Sequence, residues 1–200
     1  MKKRNTLGFK ICKGILGPVF KWYYKPVIVN KEVIPKDGPI LIVGNHKHLF
    51  DQCLPIIATK RPVFYMAKKE YWDSWKTAWF FNLAGCIPVN RSIKDSDAKN
   101  AAVDVLKNDG AIGLFPESTR NKTKEFLLPF KFGAVKMAQE TGATIVPFGI
   151  AGDYIKGGKG NLTVTFGEPF KIAKDDDLEK ANERLRNEVG KLIKKGNKTR

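Results

Sequence analysis

From Val27 onward, short β-branched runs alternate with stretches long enough for a helix. "VIVN" (27–30), "PILIVGN" (39–45), "PVFYMA" (62–67), "CIPVN" (86–90), "AIGLFP" (111–116), "TIVPFGI" (144–150) and "NLTVTFG" (161–167) read as strands. Helices are expected at 48–59, 70–84, 96–110, 130–141 and about 176–195. In the third of these, Ser96 is the cap candidate, Gly110 the stop, and Ala98, Ala101, Ala102, Val105 and Leu106 share a face. Strands separated by helices require crossover connections, so the expected fold is α/β: one domain with a central, largely parallel sheet covered by helices. At 200 residues the chain is long enough to bury a substantial core as one domain.

The first 25 residues differ from the rest. They carry Lys2, Lys3, Arg4, Lys10, Lys13, Lys21 and Lys25 and no acid, in a chain whose net charge is +16. Between residues 7 and 23, Phe9, Cys12, Ile15, Leu16, Val19, Phe20 and Tyr23 recur at helical spacing, with Lys10, Lys13, Gly17 and Lys21 on another side. Pro18 is expected to end or kink this helix. Such a segment reads as an amphipathic membrane-interface helix over 1–25, ahead of a catalytic domain over 26–200. A helix packed on its own domain with solvated lysines fits the same pattern. Lys10 and Lys13 interrupt what a signal peptide needs as its apolar core, and no uncharged apolar run reaches 18 residues. Cys12, Cys53 and Cys86 are odd in number and widely spaced, which implies neither a disulfide framework nor a metal motif. Excess positive charge also suits nucleic acid, but the aromatic-rich stretch 70–84 contains Glu70 and Asp73, which oppose that use.

In parallel sheets, functional groups collect beyond the carboxyl ends of strands. Four segments hold that position. "NHKHLFD" places both histidines of the chain, His46 and His48, after a strand, with Asp51 close enough to orient an imidazole as a general base. The same spacing also fits a structural histidine beside an unrelated helix-starting aspartate. "GCIPVNR" brings Arg91 to a strand end, where a guanidinium suits a phosphate or simply meets solvent. "LFPESTR" sets Glu117, Ser118, Thr119 and Arg120 in a polar turn that binds a ligand or caps a helix. "TIVPFGI" contains Pro147, which needs an edge, an end or a bulge.

The order and spacing of these blocks resemble the glycerolipid acyltransferase family, 1-acyl-glycerol-3-phosphate acyltransferase type. Its N-H-x-x-x-x-D, G-x-I-x-V-x-R, F-P-E-G-T-R and V-P blocks correspond to Asn45-His46 to Asp51, Gly85 to Arg91, Phe115 to Arg120, and Val146-Pro147. The resemblance implies that His46 is the catalytic base and Asp51 its partner. It assigns Arg91 and Arg120 to the acceptor's phosphate, and Glu117, Ser118 and Thr119 to the acceptor pocket. It further implies no metal and no cofactor beyond an acyl-coenzyme A or acyl-carrier-protein co-substrate. The expected partners are a lysophospholipid acceptor, the thioester donor and an anionic membrane, not nucleic acid. The expected place is the cytoplasmic face of the cell membrane, bound peripherally. Glycerol-3-phosphate or another lysophospholipid is the alternative acceptor. Ser118 stands where the family has glycine, and a serine tolerates positive φ poorly.

Overall fold

The computed structural model describes residues 6–90, 92–93 and 95–199. Seven strands form one sheet in the order β1-β7-β6-β2-β5-β3-β4. They span Val27–Val29 (β1), Ile40–Gly44 (β2), Val63–Lys68 (β3), Ile87–Val89 (β4), Ala111–Leu114 (β5), Thr144–Ala151 (β6) and Thr163–Phe166 (β7). Every neighbouring pair is parallel except β6–β7, so β1 and β7 run against the other five. All seven expected strands and the largely parallel sheet are therefore present.

The helices are Thr6–Tyr24 (α1), Cys53–Ala58 (α2), Trp75–Leu83 (α3), Ser96–Lys107 (α4), Gly133–Thr141 (α5) and Leu178–Lys198 (α6). Alternation along β2 divides the core: Leu41 and Val43 pack with α4, α5 and α6, while Ile40 and Ile42 pack with Phe20, Leu54 and Ile57 from α1 and α2. Glycine at the end of β2 is a packing requirement, since a Cβ on Gly44 would stand 2.4 Å from the Phe148 ring.

Several local expectations change. The helix read over 48–59 shortens to α2, because the Asp51 carboxylate takes the Lys47 and His48 N–H groups and holds a turn there. The helix read over 70–84 splits into a 3₁₀ turn, Lys69–Trp72, and α3, and Gly85 ends α3 at φ 72°. Asp95, not Ser96, caps α4, accepting from the Ala98 N–H at 2.9 Å. Pro147 lies inside the sheet, in register with Val43, and meets the expected need for a break in the ladder by a bulge: two β6 residues, 146 and 147, face three, 167–169, between the Phe148–Phe166 and Ile145–Phe170 pairs. Its missing N–H falls where β7 has ended at Phe166 and before the isolated bridge of Ile145 with Phe170.

The N-terminal helix runs through Pro18 and has two apolar faces. Gly8, Phe9, Gly17 and Phe20 are buried. Lys13, read with Lys10, Gly17 and Lys21 on a side away from the apolar face, donates its ammonium to the Thr59 carbonyl. Leu7, Ile11, Ile15, Val19 and Trp22 form an exposed stripe on the opposite side. None of the described helices is long and apolar enough to cross a membrane.

Candidate active site

The loops after β2, β5 and β6 meet at the carboxyl edge of the sheet, since these three strands are adjacent and parallel. Asn45 fixes the first loop: its amide donates to the Ile150 carbonyl at 3.1 Å and accepts from the Ile150 N–H at 2.7 Å. His46 follows at once. Its Nδ1 donates to Asp51 Oδ2 at 2.7 Å, and its ring stacks on Phe115 with centroids 4.2 Å apart. Because a carboxylate only accepts, this bond fixes the imidazole tautomer and leaves Nε2 without the proton. The His46 side chain retains 15% exposure, whereas that of Asp51 is fully buried. Asp51 Oδ2 also accepts from the Lys47 and His48 N–H groups, each at 2.7 Å, and Oδ1 accepts from the Tyr154 hydroxyl at 2.7 Å.

His48 is differently placed. Its Nδ1 accepts from the Phe50 N–H at 3.3 Å, its ring stacks on Tyr154, and burial lowers its pKa. Only the backbone N–H of residue 48 reaches Asp51. Of the two histidines, His46 therefore has the oriented ring.

Glu117 turns inward. Oε1 accepts from the His46 N–H at 2.7 Å and Oε2 from the Leu128 N–H at 2.9 Å, while desolvation raises the carboxyl pKa. It thus ties the β2 loop to the segment before α5. Ser118 adopts φ 58°, so a serine occupies the left-handed conformation that glycine favours, at a cost on the order of 1–3 kcal/mol. Thr119 and Arg120 are exposed in the same turn, whose end is anchored to the histidine by the Asn121 N–H donating to the His46 carbonyl at 2.7 Å. The Arg120 charge is near enough to lower the His48 pKa further. The β4 strand ends on the same sheet edge, but Arg91 lies outside the described residues.

An apolar cavity of about 130 Å³ opens between α1, α2 and α3, lined by Phe9, Leu16, Phe20, Ile56, Tyr65 and Phe81. Gln52 and Cys53, the two residues that follow Asp51 in the chain, are part of its wall. Burial pushes the Cys53 thiol up to about 12, so it stays protonated near neutral pH.

Asn45's bridging role, Phe115's stacking and the part played by Tyr154 are not legible in the sequence. Tyr154 follows the end of β6, so its strand-end position was the available signal, but nothing local in "GDY" indicated its distant partner.

A largely parallel sheet whose carboxyl edge holds a histidine oriented by a buried carboxylate has the equipment of a proton-transfer catalyst. The family model described as Acyltransferase matches residues 25–151, and the chain belongs to that family. It is 35% identical over 129 residues to the 1-acyl-sn-glycerol-3-phosphate acyltransferase of Borreliella burgdorferi, covering 62% of this chain and 50% of the relative. To the enzyme of that name from Bacillus subtilis it is 28% identical over 171 residues, covering 82% and 83% respectively. It thus spans half the length of one curated relative and most of another. The crystal structure of the 1-acyl-sn-glycerophosphate (LPA) acyltransferase from Thermotoga maritima superposes with TM-score 0.77 at 24% identity, covering 98% of this chain and 83% of that one. That likeness establishes the shared fold.

Proposed function

We propose that the chain moves a fatty acyl group from an acyl thioester to the free hydroxyl of 1-acyl-glycerol-3-phosphate, forming phosphatidic acid for phospholipid synthesis. The observation that carries this reading is the His46–Asp51 pair at the open sheet edge of an acyltransferase-family chain. His46 Nε2 accepts the hydroxyl proton as the substrate oxygen attacks the thioester carbonyl. The tetrahedral intermediate collapses, its C–S bond breaks, and the imidazolium returns the proton to the departing thiolate. The acceptor's hydroxyl is itself the nucleophile, so the pathway needs no acyl-enzyme. The protonated Cys53 beside the site fits this direct route. The apolar cavity walled in part by Gln52 and Cys53 suits a hydrocarbon chain, and no cofactor other than the acyl-coenzyme A or acyl-carrier-protein co-substrate enters the scheme.

Arg120, exposed beside the His46 loop, suits the acceptor's phosphate, as does Arg91. Hydrogen bonds to charged groups contribute about 1.5–3 kcal/mol. Arg120→Ala is accordingly expected to lower kcat/KM for 1-acyl-glycerol-3-phosphate by about 10- to 150-fold, with little effect on an acceptor lacking phosphate. Kinetics with both donor types and a panel including glycerol-3-phosphate and other lysophospholipids test this, and equal losses on phosphorylated and uncharged acceptors would remove the phosphate role.

The acceptor resides in a bilayer, and we place the enzyme peripherally on its anionic, cytoplasmic face. The exposed Leu7–Ile11–Ile15–Val19–Trp22 stripe of α1 supports this, with exposed Lys10 and Lys21 on the same helix. Trp75 and Trp79 on neighbouring α3 extend the apolar surface, at 78% and 58% exposure. Each lysine at an anionic surface contributes about 1 kcal/mol and is screened by salt, whereas a buried isoleucine or valine side chain contributes about 1.5–3 kcal/mol and is not. Since Phe9 and Phe20 belong to the core, deleting α1 would confound docking with folding; Ile15→Asp with Val19→Asp preserves them. Sedimentation with anionic vesicles should show at least about 100-fold weaker binding for this double variant, and only partial release of wild type by high salt. Equal binding by both proteins would remove α1 from the docking surface.

A further inference from the structure

Asp51 Oδ2 is held by three donors, but a carboxylate bonded through one oxygen alone can still swing about its last side-chain torsion. The second oxygen has one protein partner among the described residues, the Tyr154 hydroxyl at 2.7 Å, reaching Asp51 across 103 positions of sequence. The tyrosine ring is in turn constrained. One neighbour is the His48 ring, with centroids 4.1 Å apart and planes 20° from parallel. The others are Tyr24 and Phe20 of α1, at 5.4 and 6.4 Å in edge-to-face geometry.

Its loop is pinned as well. The Asp153 N–H donates to the Gly160 carbonyl at 2.7 Å, and Lys47 reaches both the Gly152 carbonyl and, at 3.1 Å, Asp153 Oδ1. Lys47 lies immediately after His46, so the loop presenting Tyr154 and the loop presenting the imidazole are fastened to each other. A ring used only for packing would be equally well supplied by phenylalanine; the hydroxyl adds a donor aimed at a buried carboxylate.

We propose that Tyr154 is a positioning residue for acyl transfer: its hydroxyl locks the Asp51 carboxylate through Oδ1 and thereby sets the orientation of His46. This rests on the reaction proposed above. Burial, followed by the Asp51 charge, pushes the phenol pKa well above its ordinary value, so the hydroxyl keeps its proton for this bond.

The test uses the full chain in lipid nanodiscs, with Tyr154→Phe made in the wild-type and Asp51→Asn backgrounds. Removing only the hydroxyl should lower kcat about 10-fold, equivalent to about 1.4 kcal/mol, with KM for 1-acyl-glycerol-3-phosphate within about twofold. In the Asp51→Asn background the same change should alter kcat by less than about twofold, because its route of action is already cut. With two histidines in the chain, histidine-selective ¹⁵N labelling resolves His46, whose Nδ1 resonance should move in Tyr154→Phe. Equal losses in both backgrounds, an unchanged kcat, or an unmoved His46 Nδ1 signal would overturn the proposal. If wild type transfers no acyl group to this acceptor, the reaction assignment fails, while the His46 signal still decides the role of Tyr154.

Discussion

His46→Ala is expected to lower kcat for acyl transfer by about 10²–10⁴-fold, the range in which a positioned general base contributes, with acceptor binding largely kept. The reason is geometric. His46 alone of the two histidines has its Nδ1 on Asp51, which leaves Nε2 as the acceptor for a hydroxyl proton. His48 cannot substitute from its place against Tyr154, where its Nδ1 is engaged by the Phe50 N–H. His48→Ala should therefore retain substantial activity. The fold should survive the loss of the His46 ring, because that ring covers Phe115 from a partly exposed position and the loop is held by backbone bonds to Glu117 and Asn121. Circular dichroism and steady-state kinetics on the purified variants separate the two effects.

Asp51→Asn should lower kcat comparably, by about 10²–10⁴-fold, but with a different stability signature. In serine proteases, replacing the histidine-bound aspartate by asparagine costs about 10⁴-fold because the imidazole takes the wrong tautomer. The same inversion is expected here, as an asparagine amide facing Nδ1 would donate where the carboxylate accepts. Asp51 is also fully buried and accepts four hydrogen bonds, from His46 Nδ1, two backbone N–H groups and Tyr154. An asparagine offers one accepting oxygen, so either orientation leaves buried donors facing its NH₂. Each unsatisfied group costs about 1–3 kcal/mol. Thermal unfolding should therefore fall for Asp51→Asn by several degrees more than for His46→Ala. An Asp51→Asn protein with near-normal kcat would deny the carboxylate its orienting role.

The parts legible in the sequence are those set by local spacing. Seven strands announced themselves through short β-branched runs, and the His46–Asp51 bond joins residues five apart within one loop. What escaped depends on distant partners. For Pro147 the need for an edge, an end or a bulge was legible, but not that it would be met inside the sheet, where the β6–β7 register shifts beside it. Phe9, Cys12, Ile15, Leu16, Val19, Phe20 and Tyr23 read as one face of α1, yet Phe9 and Phe20 go to the core while Ile15, Leu16, Val19 and Tyr23 stay exposed. A single periodic pattern does not distinguish two apolar stripes on one helix. The backbone partners of Glu117 were also out of sight: its two oxygens accept from the His46 and Leu128 N–H groups, the first 71 positions away. Tyr154 carries no motif at all and acquires its meaning only when the β6 loop folds over Asp51.

The most direct test of the account compares wild-type and His46→Ala protein on vesicles containing 1-acyl-glycerol-3-phosphate, supplied with a radiolabelled acyl thioester of coenzyme A or of acyl carrier protein. Wild type should convert the label to phosphatidic acid with at least one donor and leave none covalently on the protein, and His46→Ala should form it at least about 100-fold more slowly. Absence of labelled phosphatidic acid with folded wild type and both donors, or equal rates from the two proteins, would contradict it.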